Sequence, residues 1–192
     1  MNRTLVVVIL DESGSMENKK NDIISGFNNF LNEQQKIKED IADLYLIKFN
    51  NSLKICHEGS INSMPNLTLN DYRPMGMTAL YDAIFKGIQL ADKMKKDGRV
   101  IFVIMTDGEE NASKNIEKKE ILELISNYNA KEDWTFLYIG ESPDKWVSET
   151  GLSATNSAHW EHDGPQLSLS LASQGVSKFR KQNNKKVENL LE

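Results

Sequence analysis

Two short segments, Thr4–Leu10 (TLVVVIL) and Arg99–Thr106 (RVIFVIMT), are almost wholly apolar and rich in β-branched side chains, and each is stopped by an aspartate, Asp11 or Asp107. A strand with one wet face alternates apolar and polar residues. A run without that alternation has to be covered on both faces, as strands inside a parallel sheet are. Parallel neighbours need crossover connections of a dozen or more residues, usually helices. The two runs therefore commit the chain to a layered α/β architecture.

The intervening sequence supplies the crossovers. Ile23, Ile24, Phe27, Phe30 and Leu31 make one stripe at helical period. Asp43–Asn50 (DLYLIKFN) predicts a strand, and Asn50-Asn51 suits a tight hairpin because Asn tolerates positive φ. Ser52–His57 then returns as an antiparallel edge strand that includes His57. Residues 59–77, rich in Gly, Ser, Asn and Pro, predict a loop. Thr78 opens a helix with Leu80, Ala83, Ile84, Gly87, Ile88, Ala91 and Met94 on its inner face and Gly98 placed to end it. Glu117–Asn129 predicts a helix, Trp134–Ile139 a strand, and Ser142-Pro143 an N-cap and N1 proline of a short helix. Ser153–Ser157 predicts a short last strand. Gly164 to about Lys181 predicts a final helix with Leu167, Leu171 and Phe179 in the core, followed by a polar tail expected to fray. With no repeat or linker, the expectation is one domain over residues 1–192. Its fold class is α/β, a doubly wound, mostly parallel sheet with one antiparallel edge strand and helices on both faces.

Composition narrows the function classes. A chain of 192 residues buries enough surface to need no staple. Its one cysteine, Cys56, excludes an internal disulfide framework and a Cys-based zinc cluster; it reads as a small apolar strand residue. A net charge of −5 speaks against a general nucleic-acid binder, whose affinity comes from neutralising phosphates. The longest apolar run, Leu5–Leu10, falls far short of the ~20 residues of a membrane span and is too short for a signal-peptide core, so the default expectation is a cytoplasmic protein. His159 and His162 have zinc-like spacing but no third ligand nearby. The Lys-rich stretches 93–96 and 178–186 read as solvated helix faces.

In doubly wound sheets ligands gather at the carboxyl ends of the strands, and the polar groups expected there form a pattern. Asp11-Glu12-Ser13-Gly14-Ser15 follows the first strand, Asp107-Gly108 ends the second run, and Gly76-Met77-Thr78-Ala79-Leu80 leads into a helix. Three segments thus deliver two carboxylates, Asp11 and Asp107, and three hydroxyls, Ser13, Ser15 and Thr78. All are hard oxygen ligands of the kind Mg²⁺ takes, six at ~2.0–2.1 Å. With only two carboxylates the cation would stay electrophilic, open to an acid group from another molecule. Glu12, Glu17, Glu109 and Glu110 are expected as solvated acids around this site. Tyr72, Arg73, Pro74 and Met75 read equally as packing or as part of a partner surface.

These segments resemble the von Willebrand factor A domain family and its metal-ion-dependent adhesion site, Asp-x-Ser-x-Ser followed by a distant Thr and a distant Asp. The motif maps onto Asp11, Ser13, Ser15, Thr78 and Asp107. The flanks match too, in the apolar strand before Asp11, in Thr-Ala-Leu-Tyr-Asp-Ala from Thr78, and in Thr-Asp-Gly-Glu-Glu-Asn at 106–111. The likeness spans almost the whole chain; Met77 departs from the glycine of many relatives. It implies Mg²⁺ or Mn²⁺ held directly by the serines, with the threonine and aspartates binding directly or through water. It also implies a partner protein whose Glu or Asp completes the metal's shell. Some members couple binding to a shift of the C-terminal helix, here Gly164–Lys181. Nineteen lysines against four arginines, and abundant asparagine, fit a bacterial or phage genome rich in A and T.

The leading expectation is accordingly a non-enzymatic, metal-dependent protein-binding module, an adaptor or assembly factor such as one beside an AAA+ ATPase. The alternatives are a Mg²⁺-dependent phosphoesterase and a metal-stabilised structural subunit of a homo-oligomer. Against the enzyme, haloacid-dehalogenase-type phosphatases carry a second Asp where this chain has Ser13. The sequence also has no P-loop, nucleophile elbow or dinucleotide fingerprint.

Overall fold

The first apolar run becomes β1 (Asn2–Asp11) and the second β4 (Arg99–Thr106), paired in parallel with Leu10 opposite Met105. The computed structural model describes residues 2–95, 97–160, 164–182 and 189–191. Around the central pair lie β2 (Asp40–Phe49), β3 (Leu53–Ser60), β5 (Trp134–Gly140) and β6 (Ser157–His159), in the order β3-β2-β1-β4-β5-β6. Every pairing is parallel except β2 with β3, the antiparallel edge that the hairpin signal predicted.

Alternation along β1 divides the core. Val6, Val8 and Leu10 face a layer built by α1 (Lys20–Lys36) and α5 (Gly164–Lys181), through Phe27, Phe30, Leu169, Val176 and Phe179. Leu5, Val7 and Ile9 face α2 (Leu80–Met94), α3 (Lys118–Asn129) and α4 (Pro143–Thr150), through Ile84, Ile88, Ile121 and Trp146. Both layers are built of buried apolar side chains, and for that reason β1 and β4 carry no polar alternation. The chain crosses one face between β1 and β2 and the other between β3 and β4. The winding therefore reverses between β1 and β4, where such sheets open a crevice at their carboxyl ends.

Several local expectations need correction. The Asn50-Asn51 turn uses no positive φ; instead the Asn50 side chain accepts from the Ser52 N–H at 3.0 Å, so the asparagine works through its amide oxygen. Helix α2 starts at Leu80, leaving Thr78 in the preceding loop, and Met94 lies exposed beyond its inner face. Gly98 is not a left-handed cap; a Cβ there would meet the Arg3 carbonyl oxygen at 2.6 Å, so it is small to let β4 enter beside β1. Ser142 flanks α4 without a side-chain cap bond. The last strand forms at Ser157–His159, after a 3₁₀ turn at Ala154–Asn156. On α5 the inward stripe is Leu169, Ala172, Val176 and Phe179, with Leu167 exposed and Leu171 half-buried, because the serines and glycine between them let α5 lie close against α1. His162 and residues 183–188 of the polar tail lie outside the described residues. Past them, Leu190 is buried in the core and its N–H donates to Asn156 Oδ1 at 3.0 Å, so this end of the tail is docked rather than frayed.

One buried ion pair fastens α5 to the start of β2. Arg180 Nε donates to Asp40 Oδ2 at 2.9 Å, its Nη1 donates to the Gln34 carbonyl at 2.6 Å, and Thr4 Oγ1 donates to Asp40 Oδ1 at 3.2 Å. Both charged side chains are essentially inaccessible. Breaking such a pair strands the surviving charge in the interior, at a cost of about 3–5 kcal/mol. Arg180→Met should lose that much stability in urea unfolding, whereas Lys36→Met, which removes an exposed pair with Glu33, should stay within about 0.5 kcal/mol of the parent.

Candidate metal site

All five oxygen-bearing residues singled out in the sequence meet at the crevice between β1 and β4. Asp11 is the last residue of β1 and is fully buried. Its Oδ1 accepts from the Ser13 N–H at 2.7 Å and its Oδ2 from Thr106 Oγ1 at 2.6 Å. The first bond folds the Asp-x-Ser turn back on itself; the second ties it to β4. Ser13 Oγ lies 3.1 Å from Ser15 Oγ, and Ser15 Oγ donates to Asp107 Oδ1 at 2.6 Å. Gly108 completes the ring: a Cβ there would stand 3.0 Å from Thr78 Oγ1 and 3.6 Å from Ser15 Oγ. A side chain at 108 would press on the threonine hydroxyl and make it give way by a few tenths of an ångström.

Thr78 reaches this place because two loops grip its segment. Its N–H donates to Asn111 Oδ1 at 2.8 Å, and its carbonyl accepts from the Asn111 and Ala112 N–H groups at 3.0 and 3.2 Å. On the other side Gly76, in the left-handed region at φ 77°, accepts from the Gly14 N–H at 3.0 Å. A Cβ at Gly76 would collide with Asn51 Oδ1, which accepts from the Met77 N–H at 2.8 Å. Tyr72, fully buried, donates from its hydroxyl to the Asp11 carbonyl at 2.5 Å, so its part is packing and anchoring.

Two of the four expected rim acids have other work. Glu12 accepts from the buried Lys48 ammonium at 2.6 Å and from the Arg73 N–H at 2.6 Å, clasping the 71–77 loop to the end of β2. Glu110 caps α2, accepting from the Tyr81 N–H at 2.9 Å while also holding Ala112 and Ser113. Glu17 and Glu109 are exposed, as expected. Sequence reasoning passed over Lys48, Asn111 and Lys19. The Lys48 signal was a lysine inside the apolar run of β2; Asn111 stood at the end of the 106–111 flank, but its role is set by a loop pairing far away in sequence. Lys19 closes the 3₁₀ turn Gly14–Lys19, and its ammonium donates to Asp107 Oδ2 at 2.5 Å.

Burial dominates the electrostatics. It pushes the Asp11 carboxyl up to about 6, against the hydrogen bonds from Thr106 and Ser13 that pull it down, with Asp107 adding like-charge repulsion. A cation close by would relieve that penalty. Among the described residues no group of three or more His, Cys, Asp or Glu side chains is placed to hold a metal; the donor set here is instead two carboxylates and three hydroxyls. Those groups are hard oxygen donors, and four of the five residues are buried, a donor set that fits a small hard divalent cation.

No family model and no curated protein matches the chain. Solved structures do. VWA2, the ArnB paralog of Sulfolobus acidocaldarius, matches over 91% of this chain and 45% of its own, with TM-score 0.60 and 18% identity. A von Willebrand factor type A protein from Catenulispora acidiphila matches over 90% of this chain and 42% of its own, with TM-score 0.65 and 12% identity. The pilus adhesin SpaC of Lactobacillus rhamnosus GG, in an open conformation, matches over 94% of this chain and 30% of its own, with TM-score 0.69 and 13% identity. The chain spans less than half the length of each of these. Among the described residues no helix is long and apolar enough to cross a membrane. At identities this low the likeness is one of backbone, and it shows that the chain adopts the von Willebrand factor A fold.

Proposed function

We propose that this protein is a protein-interaction module whose binding depends on a divalent cation, Mg²⁺ or Mn²⁺, held by Ser13, Ser15, Thr78, Asp11 and Asp107. The observation that carries the reading is the convergence of these five oxygens, from three distant segments, on one crevice. Hydrogen bonds of 2.6–3.1 Å, one of them from the Ser13 backbone N–H to Asp11, connect four of the residues, and Thr78 stands next to Gly108. Hydroxyls donate little charge, so a bound cation would keep its Lewis acidity and favour a carboxylate offered from outside. The partner would supply that carboxylate from a Glu or Asp on its surface. An adaptor or assembly role, beside an AAA+ ATPase or within a homo-oligomer, follows from binding without turnover. We place this binding in the cytoplasm on sequence grounds; the pilus-protein likeness carries the fold and no location.

Two measurements test the reading. Titration calorimetry with Mn²⁺ should show one site in the wild-type chain, absent in Asp11→Ala and in Ser13→Ala. Both variants should remain folded by circular dichroism, since neither residue fills the apolar core. Affinity capture from the native host should retain a partner in Mg²⁺ and lose it in EDTA or with Asp11→Ala. A partner held equally under all three conditions contradicts carboxylate capture by metal. Metal-dependent hydrolysis of a phosphoester, abolished by Asp11→Ala, would move the protein into the enzyme class instead.

A further inference from the structure

Among the described residues, Asp107 is the one member of the oxygen cluster with a cationic side chain as partner. Its side chain is 1% exposed, and its two oxygens are divided between two contacts: Oδ1 takes the Ser15 hydroxyl at 2.6 Å and Oδ2 takes the Lys19 ammonium at 2.5 Å. Lys19 is the last residue of the turn that carries Ser15, so its backbone is fixed by the same segment that positions the serine. Its long side chain is 30% exposed and has a second acid in reach, Glu141 just past the end of β5, with 3.9 Å between ammonium and carboxylate.

We infer that Lys19 is a built-in competitor of the metal: its ammonium neutralises Asp107 while no divalent ion is present, and loading the ion drives it from Asp107 toward Glu141. This deepens the metal-binding reading above and rests on it. A buried carboxylate without a counter-charge is expensive, so the metal-free crevice needs a cation of its own, and Lys19 supplies one. A divalent ion among the three hydroxyls would then share Asp107 with a like charge. Part of the metal's binding free energy would be spent on moving that ammonium. A lysine suits this role because its point charge sits on a flexible four-carbon stem, whereas an arginine fork would be held more rigidly on the carboxylate. Glu141, 44% exposed and 3.9 Å from the ammonium, is a second acid within its reach.

The inference predicts two effects of opposite sign from one substitution, a pattern that a plain structural ion pair would not give. Lys19→Met, with Lys19→Gln as a second variant that keeps a polar end, should lower the melting temperature in EDTA, because Asp107 loses its counter-charge. The same variants should bind Mn²⁺ tighter, on the order of tenfold, the size expected from removing one nearby like charge in a water-like dielectric. Lys20→Met, one residue on, should do neither. The measurements are calorimetric titration with Mn²⁺ alone and thermal unfolding in EDTA. Equal Mn²⁺ affinity in wild type and both variants overturns the competitor role and leaves the metal site standing. Weaker affinity in the variants also overturns it, making Lys19 a support of the site. Absence of Mn²⁺ binding in wild type and variants alike overturns the metal reading and this inference together.

Discussion

Asp11 ends β1 and Asp107 directly follows β4, its parallel neighbour, at the point where the sheet's winding reverses, and both carboxylates are buried. Two like charges brought together out of water are unfavourable unless something positive or polar meets them. Much of the surrounding architecture can be understood as that compensation. Thr106 and the Ser13 N–H hold Asp11, while Ser15 and Lys19 hold Asp107. The same constraint makes the crevice suited to a cation and gives an otherwise plain α/β sheet one chemically distinctive edge.

The rest of the loop structure keeps Thr78 beside that pair. Its segment belongs to a long stretch with little regular structure, which on its own would fix nothing. It is pinned by Glu12 with Lys48, by Tyr72 on the Asp11 carbonyl, by Gly76 against Gly14, and by Asn111 on the Thr78 backbone. Each of these contacts starts or ends within a few residues of a site oxygen. The glycine at 108 shows the same economy of space, since any side chain there would press on the threonine hydroxyl.

What could be read from the sequence followed the range of the forces involved. Strands β1 and β4, buried on both faces, announced themselves through unbroken apolar runs, and the aspartates that stop those runs marked the site. The stripe of α1 and the hairpin were equally plain. On α5, Phe179 was placed correctly in the core, but Leu167 and Leu171 were not, because the helix packs on α1 through small residues and its leucines point both ways. The docking of Leu190 was invisible, since a polar stretch separates it from the helix it covers. Glu12 and Glu110 looked like solvated acids; their buried and capping partners come from segments that only the fold brings near. Lys19 was hidden among neighbouring lysines, and only the distance to Asp107 distinguishes it from Lys20.

The account stands on a divalent ion occupying the space among the Ser13, Ser15 and Thr78 hydroxyls. A crystal of the protein grown with Mn²⁺, measured at a wavelength where manganese scatters anomalously, tests this directly. The predicted result is a single anomalous peak in that space, with the Lys19 ammonium turned away from Asp107 toward Glu141. A map with no peak there, and Lys19 still seated on Asp107 at saturating Mn²⁺, would contradict it.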